Sequence, residues 1–395
     1  MRQRETWLDF LRVTACFMVM IIHSTEPFYL GGDGALILTP TDAFWVAVFE
    51  GLCRCCVPLF LIASSYLQFP LHYPTGAFFR RRAVRILVPM ALWTLVYALV
   101  WGEPVENLKG LLLNFNYAAG HLWFVYMLVG IYLVMPLLSP WAEKVSRKEL
   151  SIYLGIWIFT TFIPTVRAAV GGEAPLIQAA DGLPAPALFP LWGEASWNPF
   201  GTFYYLSGFI GYLLLGLYIR KYMENTGKVA RLGWVMFLLG FLSIVSGLLF
   251  QFSETPGEFP LSGGLSLAVH WEAPILFCGF PVLLTSLGLV LVFRRLACHS
   301  EPVRHFERSE ESFFYRHIVL PLSKAGYGMY LIHMLVLAPF SGLFRDWLGL
   351  GADGALGAWT TPVQILATAF CSFVVVGLAA VLLQRIPRVG KYLMG

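Results

Sequence analysis

Runs of about 20 largely apolar residues, the length that crosses a bilayer as a helix, recur along this chain from "TWLDFLRVTACFMVMIIHS" to "TPVQILATAFCSFVVVGLAAVLLQ". Lipid offers no partners to backbone polar groups, so only helices and closed barrels span it. Barrel strands alternate in hydrophobicity and these runs do not. The chain is therefore read as an all-α polytopic membrane protein of ten spans: 6–28, 43–69, 86–101, 121–138, 150–167, 202–219, 232–251, 272–293, 318–341 and 361–384. The third is short and continues back through "FFRRRAVRI". Only 13% of residues are charged, about half the share of a soluble domain. The spans use nearly all of residues 1–395, which leaves a single transmembrane domain with no internal repeat and no appended soluble domain. The first run lacks a small-residue cleavage site and is expected to stay as a helix.

Alternate connections divide the cations sharply. Of 27 Lys and Arg, 22 fall on the side of the termini and three (Lys109, Arg167, Arg345) on the other, while Arg12 and Arg54 lie within spans. The positive-inside rule places both termini in the cytoplasm. The net charge of +4 sits in short loops and is no nucleic-acid signal. The long outer connection 168–201, rich in Gly, Pro and aromatics, reads as a cap over an outward cavity, as a segment lying in the interface, or as a plain solvated loop. The charged segment 298–317 reads as a cytoplasmic surface excursion, and its His299, His305 and His317 lack metal-ligand spacing. The seven cysteines lie mostly inside apolar runs and read as small core residues. No metal is expected.

Ionisable residues inside spans are costly and mark functional sites by default. In the first span Arg12 and His23 are eleven residues apart, three turns, which puts them on nearly one face and roughly 16 Å apart along the axis. Arg12 is in the cytoplasmic half and His23 in the outer half. Glu50 and Arg54, one turn apart in the second span, neutralise each other, either as structural glue or to order the surroundings of His23. Arg82 and Arg85 share a face at the cytoplasmic mouth of the third span, where two guanidiniums make a clamp for phosphate oxygens or anchor the topology. His121 and Trp123 begin the fourth span, and "SKAGYGMYLIH" carries Tyr327 and His333 outward along the ninth. These four are candidates for an acceptor or supporting role. His270 and Glu272 read as interfacial residues at the outer end of the eighth span.

Several stretches also resemble one family. "LRVTACFMVMIIH", with ten residues between Arg12 and His23, is similar to the first-helix motif of the acyltransferase-3 family of integral membrane acyltransferases. "RRAVR", with Arg82-x-x-Arg85, resembles its third-helix motif, and "VPLFLIASSYL" its second-helix stretch, although Ser65 stands where glycine is usual. "HLWFVYMLVGIYLVMPLL" and "GYGMYLIH" resemble its middle and late helices, so the likeness spans most of residues 5–335. The overall pattern resembles the branch that O-acetylates surface polysaccharides, of the enterobacterial common antigen type. The resemblance implies an inner (cytoplasmic) membrane location, an acyl-CoA donor, usually acetyl-CoA, and an acceptor hydroxyl on an envelope glycan or lipid-linked glycan. It also implies a catalytic His23, with Arg12, Arg82 and Arg85 holding the donor or supporting the site.

The depth order agrees with that implication, since an acyl-CoA carries its phosphates at one end and its thioester at the far end of a long arm. Two chemistries stay open, His23 as general base or as acyl-accepting nucleophile. Its orienting partner is Glu26 or Glu50, and Arg54 or a backbone N–H is the candidate oxyanion donor. The alternative of another class is a proton-coupled transporter or flippase, against which no repeated half or matched pair of broken helices is found. The orientation itself is testable. Arg4→Cys should react with a membrane-impermeant maleimide in inverted vesicles only, and labelling in intact cells would reverse the topology.

Overall fold

The structure, a computed structural model, describes residues 5–31, 34–115, 118–169, 191–193, 198–299 and 313–395. Most of the outer connection 168–201 and of the charged segment 298–317, with His305, lies outside the described residues. Among the described residues nine helices are long and apolar enough to span: Thr6–Phe28, Pro40–Gln68, Thr75–Val100, Gly120–Lys144, Arg147–Arg167, Gly227–Glu254, Ala273–Leu296, Tyr315–Leu348 and Gly357–Gln384. The third does run back through the arginines, as its sequence predicts. The sixth differs from expectation. Gly208, at φ +73°, separates a 3-10 turn, Gly201–Leu206, from a helix of only 13 residues, Ile210–Tyr222. At 1.5 Å per residue that helix covers about 20 Å, short of the hydrocarbon thickness. Trp157 Nε1 of the fifth span donates to the Gly208 carbonyl at 2.8 Å, so the turn is not left wanting a partner.

The first span is central, packing against the second, eighth, ninth and tenth. Asp9 near its charge-rich end is buried and accepts from Ser323 Oγ at 2.6 Å and Tyr315 Oη at 2.7 Å, which ties it to the ninth span. Basic side chains at this end cap the carbonyls where neighbouring helices stop. Arg220 donates to the Tyr66 carbonyl at 2.9 Å, Lys221 to that of Val145 at 3.0 Å, and Arg294 to that of Met223 at 2.8 Å. The helices that run inward end here with their negative dipole ends, where cations stabilise them. At the opposite end Leu30–Gly31, Gly34–Ile37 and Leu261–Gly264 form a small antiparallel sheet, with Leu30 opposite Ala35 and Ile37 opposite Leu261.

Proline shapes the spans that carry the expected site. Pro58 has no N–H to return to the Arg54 carbonyl, and the second span is broken there into Pro40–Cys53 and Cys56–Gln68. Cys53, Cys55 and Cys56 pack around that break as buried free thiols. Pro89 follows a π turn at Ala83–Leu87, and Pro321 follows another at Tyr315–Val319. The widened turn lets the backbone bond past a position that has no donor. Tyr327 Oη donates to the Ile86 carbonyl inside the first of these turns at 2.8 Å.

Ser65, where the resembling family has glycine, is buried and donates to the Leu213 carbonyl at 2.5 Å. Room for it comes from the facing helix: a Cβ on Gly216 would lie 2.6 Å from Ser65 Cβ and 2.8 Å from the Ile62 carbonyl oxygen. Gly216→Ala should therefore cost about 1–3 kcal/mol through overpacking. A thermal melt in detergent checks this. Ser65→Gly on that background should recover only part, because the Ile62 carbonyl remains.

Candidate functional site

His23 is positioned by the last turn of the first helix, which closes at Thr25 and passes into a 3-10 turn, Glu26–Phe28, set by Pro27 at its second position. That turn brings Glu26 Oε1 to 2.7 Å from His23 Nδ1. A carboxylate oxygen can only accept, so the bond puts a proton on Nδ1 and leaves the neutral ring's lone pair on Nε2. Glu26, rather than Glu50, is the carboxylate beside His23.

Glu50 and Arg54 make a different unit. Glu50 is fully buried, accepting from Thr25 Oγ1 at 2.7 Å and from an Arg54 terminal nitrogen at 3.4 Å. Arg54 Nε donates to the Ile275 carbonyl at 2.9 Å, and the guanidinium lies over the Phe277 ring, 4.5 Å from its centre. The pair thus joins the first helix, the broken second span and the start of the eighth. Glu272 was read as interfacial, yet it faces inward into the same chamber as Arg54 and accepts from Tyr29 Oη at 2.9 Å. Burial, with Glu272 beside it, holds the Tyr29 phenol well above the usual tyrosine range, so it remains a donor.

Of two further imidazoles, His333 stands against His23 and His121 against His333. His333, fully buried, has its ring centre 4.9 Å from that of His23 and 5.1 Å from that of His121. Its Nδ1 meets the Tyr330 carbonyl at 2.6 Å, and Tyr330 Oη donates to the His121 carbonyl. The Nε2 atoms of His121 and His333 are buried with no protein partner. Among the described residues no group of three His, Cys, Asp or Glu is arranged to hold a metal ion.

Two cavities meet at this cluster, and one more lies toward the charge-rich end. At the charge-rich end one of about 310 Å³ is lined by Arg12, Arg82, Arg85, Lys324, Tyr132 and Tyr327 among others. The three arginines expected together thus share one wall. Tyr327, grouped on sequence with the acceptor or supporting residues, lies here instead. Arg82 stacks over Tyr132, 4.7 Å from the ring centre, and its Nε is buried with no protein partner. Farther out a chamber of about 320 Å³ is lined by His23, Glu26, Arg54, His121, Trp123 and Glu272. A third, of about 390 Å³, shares His23, Glu26, His121 and Trp123 and adds Tyr97 and Trp101. Glu50 and His333 line none of the three. Tyr97, Trp101 and Glu272 were missed as site residues. Each sits at the outer end of an apolar run and reads on sequence as interfacial dressing.

The family model described as an acyltransferase domain, acyltransferase-3, matches residues 5–381. No curated protein and no solved structure matches the chain.

The geometry separates the two carboxylates by role. Glu50→Ala leaves Arg54 buried without its counter-charge and should cost about 3–5 kcal/mol, seen as a large fall in melting temperature. Glu26 is partly exposed to the cavities, and Glu26→Gln should melt close to the parent. Equal losses for both variants would remove the distinction.

Proposed function

The chain belongs to the acyltransferase-3 family of membrane acyltransferases, and on that premise we propose that it moves an acetyl group from cytoplasmic acetyl-CoA to a hydroxyl of a cell-envelope glycan in the inner membrane. The observation that carries this reading is the position of His23. It sits in a wall common to two outer chambers, three helical turns from the arginine-lined cavity at the charge-rich end. In this reading Arg12, Arg82 and Arg85 take the phosphates of the donor by charge-assisted hydrogen bonds. The pantetheine arm runs outward, and the thioester comes to the chamber beside His23. The acceptor reaches the same imidazole through the cavity bounded by Tyr97, Trp101 and Trp123.

His23 acts as general base through Nε2. The acceptor oxygen attacks the thioester carbonyl as its proton passes to the imidazole, and Arg54, with its charge facing the chamber, stabilises the oxyanion. The C–S bond then breaks, and the imidazolium returns the proton to the CoA thiolate. Glu26 holds the ring in the tautomer this needs and offsets its charge while it is protonated. His121 and His333 stand behind the ring as supports.

Membranes carrying the chain should release CoA from acetyl-CoA and add acetyl mass to envelope glycans. His23→Ala should abolish both while the protein still folds. Arg82→Ala and Arg85→Ala should each raise the donor KM by about tenfold or more, the loss of a charge-assisted contact of about 1.5–3 kcal/mol. Undiminished transfer by a folded His23→Ala protein would refute the assignment of the base. An absence of CoA release in the parent would refute the reaction.

A further inference from the structure

The arginine-lined cavity and the chamber of His23 have two lining residues in common, Phe124 and Tyr330. Their rings meet edge to face with centres 5.6 Å apart. Phe124 also meets Phe60 of the second span, with ring centres 6.3 Å apart, and Phe60 lines only the arginine-lined cavity of the two. Three spans thus converge on a pair of aromatic rings, and those rings are the partition between the two spaces.

The partition is held from both directions. Phe124 is the second residue of the helix Trp123–Lys144 and is buried. Tyr330 is fastened twice, its phenol donating to the His121 carbonyl and its own carbonyl accepting from His333. Tyr330 is therefore the fixed jamb. Phe124 is held only by packing, against the rings of Phe60, Trp123 and Tyr330. Side-chain torsions of a phenylalanine have few alternatives in a packed interior, so the opening it can give is narrow.

We propose that Phe124 and Tyr330 form a neck that selects the donor's acyl group by width: linear acyl chains pass to His23, and acyl groups branched next to the thioester carbonyl are held back. The proposal rests on the reading that the donor enters from the arginine-lined cavity. Length alone is a poor criterion for such a neck, because the β-alanine and cysteamine units that follow the thioester are themselves a long unbranched chain, while the dimethyl-bearing pantoyl unit stays near the phosphates. Branching at the carbon next to the carbonyl widens the group at the point where it must turn past the rings. Hydrophobic pockets discriminate a single methylene by roughly 10–200-fold, and a rigid constriction lies within that range.

Butyryl-CoA and isobutyryl-CoA test this directly, since they have the same atoms and differ in width. CoA release is followed with a thiol reagent in membranes carrying the chain, with His23→Ala membranes as background. The parent should use butyryl-CoA at least tenfold faster than isobutyryl-CoA. Phe124→Ala should raise the isobutyryl-to-butyryl ratio by about tenfold, and Phe124→Leu by less. Tyr330→Phe keeps the ring but loses one of its two fastenings, and should shift the ratio less than Phe124→Ala does. The ratio is internal to each variant, so a partial loss of folded protein cancels. Equal rates for the two donors in the parent, including none for either, overturn the neck. An unchanged ratio in Phe124→Ala overturns it too. Acetyl-CoA in the same membranes keeps the two ideas apart. Release from acetyl-CoA with no width selection sinks only the neck, and no release from acetyl-CoA sinks the proposed reaction.

Discussion

The ion pair of Glu50 and Arg54 is the interaction on which the rest of the outer half depends. Burying two charges is unfavourable unless each finds several partners, and here each does. Glu50 takes the Thr25 hydroxyl and the guanidinium, and Arg54 takes the Ile275 carbonyl and the face of Phe277. Those partners come from the first, second and eighth spans, so meeting the needs of one pair fixes three helices around one chamber. Thr25 is two residues from His23 and one from Glu26. The depth and rotation of the imidazole are thereby tied to a network in which Arg54 and Phe277 face the chamber and Glu50 stands behind them.

Much of this was legible in the sequence, and what was legible was local. The apolar runs, the uneven division of cations and the eleven-residue spacing of Arg12 and His23 depend on helical rise and on lipid being a poor solvent for charge. Neither needs knowledge of a neighbour. The identity of the carboxylate beside His23 was left open between Glu26 and Glu50. The choice is made by a 3-10 turn after Thr25 that Pro27 permits, and by Arg54 engaging Glu50. Tyr327 was grouped with His333 as a candidate acceptor or supporting residue, but six residues of helix between them are about 9 Å of depth. That distance puts it beside the arginines. The interruption of the sixth span was not legible, because one glycine at positive φ breaks a stretch whose composition stays apolar throughout. Glu272 gave no sign at all, since a carboxylate at the end of a span is ordinary until the fold turns it inward.

The cations at the charge-rich end illustrate how one residue class serves two demands. By count they orient the chain in the membrane. By geometry Arg220, Lys221 and Arg294 satisfy carbonyls left over where helices end. Arg12, Arg82 and Arg85 differ in facing a cavity, and composition alone does not distinguish them from their neighbours.

The π turn at Ala83–Leu87 separates the third span into two halves that no longer share one helical wheel. An extra residue within a turn advances the chain by about 100°, so whatever follows Leu87 is out of phase with what precedes Ala83. The lipid-facing row of Leu92, Leu95 and Leu99 is set by the outer half alone, while Arg82 and Arg85 stand at and within the slip. The mouth of the protein and its oily flank are thus written in separate registers on a single helix.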